Sequence, residues 1–194
     1  MSKKDQLDKL HTKWMENCTC ELRNTATQAV PGFGNPNADI VFIGEAPGKS
    51  EDIEGKPFIG RAGKFLDEML ATIDLKRSDI YITNTVKYRP PNNRDPLPEE
   101  VTACWDWLTE ELNLIQPSII VMLGRHALNR FFPNERISEA HGKIFKNQLK
   151  ELNTSHFFAL YHPAAALYNG GLKETLIEDF KKLQQALTEI KDTK

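Results

Sequence analysis

The chain has 194 residues, 40% of them hydrophobic, and a formal charge of −2. This size and composition suit one buried core, so we expect a single domain over residues 1–194, with residues 1–30 forming an amino-terminal helical segment packed on it. The small negative charge excludes bulk attraction to nucleic acid and leaves only a local patch for such binding. No apolar run approaches the roughly 18 residues of a membrane helix, so we expect no membrane association and a cytoplasmic location.

Four short apolar runs, rich in β-branched or aromatic residues, are nearly continuous rather than alternating, which is typical of strands buried on both faces. These predicted strands cover residues 39–43, 80–83, 118–123 and 156–161. Apolar residues at three- and four-residue spacing predict helices at residues 4–16, 62–73, 98–115, 125–132 and 172–190. The alternation of strands and helices predicts an α/β fold, a parallel sheet with helices on both faces.

Polar side chains follow three of the predicted strands. Glu45 follows the first, Asn84 the second and His162 the fourth. Because ligands of parallel α/β sheets bind beyond the carboxyl ends of the strands, an acid, an amide and an imidazole should meet at one edge. This convergence is the first sign of a functional site.

The loop after the first strand also resembles a phosphate-binding P-loop, which would make the protein a nucleotide hydrolase. Three residues separate Gly44 from Gly48, however, one fewer than that motif requires. Gly55 and Pro57 should break any helix opening at Lys49, and Glu45 would repel phosphate. We keep the nucleotide hydrolase as a minor alternative.

Several longer motifs occur together in one order along most of the chain. They are GEAPG at residues 44–48, ED at 51–52, GKPFIGRAG at 55–63, TNTVK at 83–87, RPPNNR at 89–94 and HPAA at 162–165. In these motifs the chain resembles the family 4 uracil-DNA glycosylases of bacteria and archaea. The resemblance implies a three-layer α/β/α fold around a central four-stranded parallel sheet. It also implies an enzyme that removes uracil from single-stranded or mispaired DNA.

A flipped-out uracil needs a stacking surface and hydrogen bonds to its edge. Phe58, between Pro57 and Gly60, suits the stacking surface, although an isolated phenylalanine is more often a core residue. The Asn84 amide can offer a donor and an acceptor to uracil, or else cap the next turn. His162 can donate to the uracil O2 as negative charge develops there, or serve as a structural residue.

Two acids in the first loop complete the expected catalytic set. We expect Glu51 to position or deprotonate the attacking water. Glu45, with Ala46 beside it, would contact the uracil ring and exclude the methyl group of thymine. The reverse division of roles stays open, as does a solvated acidic turn for Glu51 and Asp52.

Contacts to DNA are expected from two further segments. Leu167 lies in an apolar stretch after His162 and would fill the vacated base stack, unless the stretch simply begins the last helix. Lys87, Arg89 and Arg94 carry three positive charges without an intervening acid, which predicts a phosphate clamp or an ordinary solvated turn.

Cys18, Cys20 and Cys104 are an odd number of cysteines, which argues against a disulfide framework and leaves metal binding or ordinary thiols. The resemblance implies a 4Fe-4S cluster held by four cysteines, but Tyr88 occupies one ligand position and Cys18 and Cys20 have C-x-C spacing. Since four thiolates are the standard requirement, we expect no cofactor, with Tyr88 and Trp14 filling the space. A cluster with an incomplete or non-standard ligand set is the alternative.

Two departures bear on chemistry. The segment Pro90-Pro91-Asn92-Asn93 lacks the histidine with which covalently trapping relatives capture the sugar, so we expect turnover with water. His141 stands where the family commonly has arginine. We expect a monomeric, monofunctional glycosylase. A catalytically inactive uracil- or damage-binding module of the same fold is the rival hypothesis.

Overall fold

The computed structural model describes residues 1–146, 149–154 and 156–192. Its strands are β1 Phe33–Gly34, β2 Ile40–Gly44, β3 Tyr81–Asn84, β4 Ile119–Leu123, β5 Ile144–Lys146 and β6 His156–Leu160. Its α-helices are α1 Lys3–Asn17, α2 Lys49–Glu54, α3 Arg61–Ala71, α4 Pro98–Ala103, α5 Trp105–Ile115, α6 Gly124–Phe131, α7 Ile137–Ala140, α8 Pro163–Tyr168 and α9 Gly171–Asp192.

The strands form one sheet in the order β1-β3-β2-β4-β6-β5. The four central strands are parallel, as predicted. The outer strands β1 and β5 pair antiparallel with their neighbours and were not predicted. Both are short and lie partly in solvent, so neither has the continuous apolar run that marks the central strands.

Helices cover both faces of the sheet, which confirms the three-layer α/β/α architecture. Successive residues of β2 point to opposite faces, so Phe42 packs with α3 and α9 whereas Val41 packs with α1, α5 and α6. Because both faces are covered, the central strands are buried along their length, apart from the half-buried His156 that begins β6. This double burial explains their unbroken hydrophobicity.

Two helix predictions are wrong in detail. The predicted helix at 98–115 divides at Cys104 into α4 and α5, which share that residue as a cap. A helix does open at Lys49, contrary to the expectation, but it ends after six residues at Gly55, whose φ of 69° is left-handed. The structure therefore places a short helix, α2, immediately after the first loop.

The amino-terminal segment is joined closely to the sheet. Helix α1 packs against α5, and the backbone N–H of Val30 donates to the carbonyl of Lys87 at 2.7 Å. Across the described part of the chain, no helix has both the length and the apolar character needed to cross a bilayer.

Candidate active site

A cavity of about 400 Å³ lies beyond the carboxyl ends of β2, β3 and β6. Its lining includes Glu45, Ala46, Glu51, Phe58, Asn84 and His162. The predicted convergence of the strand-end residues is thus confirmed. The volume is at the lower end of the range for small-molecule sites, which suits a compact ring rather than an extended ligand.

The Asn84 amide is the most unusual group in this cavity. It ends β3 with only 1% of the residue exposed, and neither its Nδ2 nor its Oδ1 has a hydrogen-bond partner among the described residues. Buried amides are normally paired, because an unpaired buried polar group costs about 1 to 3 kcal/mol. An orphaned donor and acceptor side by side indicate a ligand with the complementary pattern.

Phe58 forms one wall of the cavity. Its ring is buried, and the ring centroid lies 5.5 Å from that of His162. Gly44 makes room for this wall, since a Cβ there would stand 2.6 Å from the Phe58 ring and 2.4 Å from the Asn84 Oδ1. Ring and amide therefore meet over a glycine.

The geometry of His162 fixes its tautomer. The residue caps α8, and its Nδ1 accepts a hydrogen bond from the backbone N–H of Ala164 at 3.1 Å. Burial lowers the pKa of His162 to about 4, so the ring is neutral at pH 7. A neutral ring that accepts at Nδ1 must carry its proton on Nε2, which makes Nε2 a hydrogen-bond donor.

Glu51 uses one oxygen to hold the Phe58 wall. Its Oε1 accepts from the backbone N–H groups of Ile59 at 3.1 Å and Gly60 at 2.9 Å. Its Oε2 accepts no hydrogen bond from the described residues. A carboxylate positioned in this way on a short helix keeps one oxygen for a ligand or water.

The neighbouring acid, Asp52, is not part of a solvated turn. It is buried and accepts from the backbone N–H of Thr27 at 2.9 Å and from its hydroxyl at 2.7 Å. Asp52 therefore ties the helix that carries Glu51 to the amino-terminal segment. The acidic-turn alternative is wrong for this residue.

Glu45 lies at the mouth of the cavity, where burial raises the pKa of its carboxyl group. His126 Nε2 is 3.6 Å from the Glu45 Oε2 and 3.2 Å from the Asp95 Oδ2. These three side chains could ligate a metal by their spacing, yet the Arg125 guanidinium already donates to Asp95 at 2.7 Å and to His126 at 3.0 Å. The sequence did not mark His126, whose only signal was its position after β4.

Comparison with known proteins decides the family. The model of the Uracil DNA glycosylase superfamily matches residues 31–189. The chain belongs to this superfamily. The type-4 uracil-DNA glycosylase of Archaeoglobus fulgidus is 47% identical to it, with 92% of each chain covered. Those of Sulfurisphaera tokodaii and Saccharolobus solfataricus are 46% and 45% identical, covering 93% and 95% of this chain and 84% and 88% of theirs. Membership of the uracil-DNA glycosylase superfamily removes the nucleotide hydrolase alternative.

One of the predicted DNA contacts of this glycosylase-family chain is wrong. The side chain of Lys87 is completely buried, and its ammonium donates to the Thr83 hydroxyl and, at 2.7 Å, to the Glu111 carboxylate. A buried and paired ammonium cannot reach a phosphate. Sequence reasoning missed this because Glu111 lies on a distant helix.

Glu111 is the centre of a buried network. Besides Lys87, it accepts from the Tyr81 hydroxyl at 2.8 Å, the Thr83 hydroxyl at 2.8 Å and His11 at 2.9 Å. Burial by itself would raise the pKa of Glu111, but Lys87 and His11 outweigh it and hold that pKa well below its usual range. The network joins α1, β3 and α5, and its member Thr83 is the residue before Asn84.

The other predicted DNA contacts lie near the cavity. Arg94 lines the cavity but makes a paired contact with Glu100, at 2.6 and 2.9 Å, so an acid from α4 does accompany the basic loop. Arg89 donates to the Asn93 side chain at 2.7 Å. In α8, Leu167 is half-buried against the core, whereas Tyr168 is 88% exposed. Tyr168 is thus the more projecting apolar side chain beside the site.

The three cysteines come together in a buried apolar cluster, where the Cys18 thiol donates to the Ala103 carbonyl at 3.9 Å and the Cys20 thiol to the Glu100 carbonyl at 3.7 Å. Tyr88 occupies the same cluster, with 3% of the residue exposed and its ring edge-on to Trp107. Burial raises the pKa of Tyr88 to about 12, so it is a neutral phenol at pH 7. These residues do not fit a 4Fe-4S cluster, which requires four thiolates.

Proposed function

We propose that this protein is a uracil-DNA glycosylase, which flips uracil from DNA and hydrolyses its N-glycosidic bond to leave an abasic site for base-excision repair. The observation that carries the proposal is the buried Asn84 amide, which has no hydrogen-bond partner among the residues that the structure describes and lies beside the Phe58 ring in the cavity. A pyrimidine stacked on that ring can offer the amide one acceptor and one donor along a single edge. Cytosine presents the reverse pattern on that edge and would leave an amide held in this orientation unsatisfied.

His162 acts on the departing base. Cleavage leaves positive charge on the sugar and negative charge on uracil. The Nε2–H of the neutral His162 ring donates to the uracil O2 as this negative charge grows. Because the donor is fixed by the Ala164 hydrogen bond, it needs no reorientation during the reaction.

Glu51 orients the water. Its Oε1 is occupied by the loop, while the remaining oxygen can accept from a water that attacks the sugar carbon. Its negative charge also stabilises the positive charge that develops on the sugar. Glu45, whose raised pKa reflects a poorly solvated position, is better suited to contact with the ring, where with Ala46 it excludes the thymine methyl. These considerations support the predicted division of roles.

Hydrolysis without lyase action follows from the same lining. Among the described residues around the cavity there is no lysine, and Lys87 is held by Glu111. An unprotonated amine within reach of the sugar is what Schiff-base chemistry requires. The enzyme is therefore monofunctional under this proposal. The proposal also includes that it acts as a single-domain intracellular monomer on uracil in single-stranded or mispaired DNA.

The proposal extends to the absence of an intact 4Fe-4S cluster. The supporting observation is the Tyr88 ring, which fills the fourth position and packs with Trp107, against which Trp14 also stacks. Iron and sulfide analysis of anaerobically purified protein, with its visible absorption spectrum, tests this. About four irons per chain would contradict it.

The activity is tested with a uracil-containing oligonucleotide treated with the protein and then with alkali. Strand cleavage at uracil, absent from the matched thymine oligonucleotide, is the expected result. A rival module that only binds damage would retard the uracil oligonucleotide in a gel without producing an alkali-sensitive site. Single-stranded, U·G and U·A substrates run in parallel define the preferred context.

A further inference from the structure

The wall of the cavity depends on an unusual backbone conformation. Phe58 has a φ of 54°, in the left-handed region that residues with a side chain rarely adopt. Such a conformation costs of the order of 1 to 3 kcal/mol and persists only where the surrounding structure holds it. The contacts that hold Phe58 therefore control where its ring lies.

Arg77 makes the first of these contacts, although it is 19 residues further along the chain. Its Nη2 donates to the carbonyl of Phe58 at 2.8 Å and to that of Gly63 at 3.2 Å. Its Nε donates to the Asp67 carboxylate at 2.8 Å. One guanidinium thus joins the Phe58 backbone to two points on α3, a fork geometry that lysine cannot reproduce.

The same carbonyl is enclosed by Gly63. A Cβ at that position would stand 1.7 Å from the Phe58 oxygen, so only glycine allows the approach. On the cavity side, Glu51 accepts from the N–H groups of the next two residues. The Phe58 peptide is thereby held from both sides, by Arg77 behind it and by Glu51 in front.

We propose that Arg77 is a positioning residue for the uracil-stacking wall. It touches neither the base nor the sugar, and it acts by holding Phe58 in its left-handed conformation. The inference rests on the proposed function, since it assumes that Phe58 stacks on the base. Without Arg77 the Phe58 carbonyl loses its charged donor, the backbone relaxes toward φ below zero, and the ring turns away from His162.

Single-turnover excision measures this effect. Arg77→Met should raise the enzyme concentration for half-maximal rate by about 10- to 100-fold, since loss of base–aromatic stacking typically weakens binding by about that much. The maximal rate should fall less. Asp67→Asn is the matched control: it removes the charge from a half-exposed partner but keeps an acceptor, and it should behave like the wild type.

A double-mutant cycle separates positioning from general damage. If Arg77 acts through Phe58, Arg77→Met should have almost no further effect in a Phe58→Ala background. Full additivity, or wild-type values for Arg77→Met alone, would overturn the proposal. If Arg77→Met fails to fold, Arg77→Lys takes its place in the cycle, because it keeps the positive charge and loses the fork.

Amide hydrogen exchange distinguishes this inference from the proposed function itself. The N–H groups of Ile59 and Gly60 should exchange about tenfold faster in Arg77→Met than in Asp67→Asn, whether or not uracil is excised. If the wild type did not excise uracil, only the glycosylase assignment would be refuted. Unchanged exchange at these two amides would refute the role of Arg77 alone.

Discussion

Replacing Asn84 with alanine should separate activity from stability. Within the described part of the chain the amide has no partner to lose, so the substitution removes a buried unsatisfied donor and acceptor. Relief of that penalty, about 1 to 3 kcal/mol for each such group, offsets the lost packing of a small side chain. We expect the free energy of unfolding to stay within about 1 kcal/mol of the wild-type value or to rise.

Excision should behave differently. Loss of one preorganised donor in an active site typically lowers the rate by about 100- to 1,000-fold, and Asn84 would supply a donor and an acceptor. We therefore expect single-turnover excision by Asn84→Ala to fall at least 100-fold. Chemical denaturation and a uracil-oligonucleotide assay on the same preparation provide the two measurements.

Asn113 offers a matched control because it is the same residue type with both polar atoms paired. Its Nδ2 donates to the Glu151 carbonyl at 2.7 Å, and its Oδ1 accepts from the Asn153 N–H at 3.0 Å. Asn113→Ala should lose about 1 to 2 kcal/mol of stability and no activity. If Asn84→Ala instead lost stability in proportion to activity, Asn84 would be a structural residue and the site argument would fail.

Three further predictions concern neighbouring groups. The pKa of His162 is about 4 in the folded protein and ordinarily 6.5, so between these pH values the ring is protonated only in the unfolded state. As the pH falls from 6.5 to 4, the wild type should therefore lose about 3 kcal/mol more stability than His162→Gln, which lacks the titrating ring; denaturation curves of both proteins across this range measure the difference. Lys87→Met should cost about 3 to 5 kcal/mol by leaving the buried Glu111 carboxylate without its ammonium partner, while the salt dependence of DNA binding stays unchanged. Gly44→Ala should lower excision at least 100-fold in folded protein, because its Cβ would collide with Asn84 and Phe58.

Each of these has a contrary result. A constant difference between wild type and His162→Gln across the pH range would mean that the ring is not held neutral by burial. If the DNA affinity of Lys87→Met depended less steeply on salt concentration than that of the wild type, Lys87 would contact a phosphate despite its burial. Wild-type activity in Gly44→Ala would show that the ring and the amide do not need their close approach.

The sheet and the convergence of its strand ends were predictable because strands that are buried on both faces require continuous runs of apolar residues. Because these strands are parallel, Glu45, Asn84 and His162 lie at the same edge of the sheet, whatever path the connecting segments take. The edge strands β1 and β5 were not predictable in this way. Their few residues are partly solvated and are defined by pairing with β3 and β6.

What the sequence could not supply were partnerships between distant residues. Lys87 had the appearance of a surface cation until Glu111 was found beside it. The tautomer of His162 depends on a backbone N–H two residues away, whose direction only the fold determines. Arg77 belongs to no sequence motif, because its role depends on a hydrogen bond to the Phe58 carbonyl in another segment.

The Glu111 carboxylate also limits how the protein can be shortened. One of its donors, His11, comes from the first helix, so a truncated form beginning after residue 17 would leave the buried Glu111 carboxylate without this hydrogen bond. Through Glu111 and Tyr81, the first helix supports the strand that ends in Asn84, although the described lining of the cavity includes none of its residues.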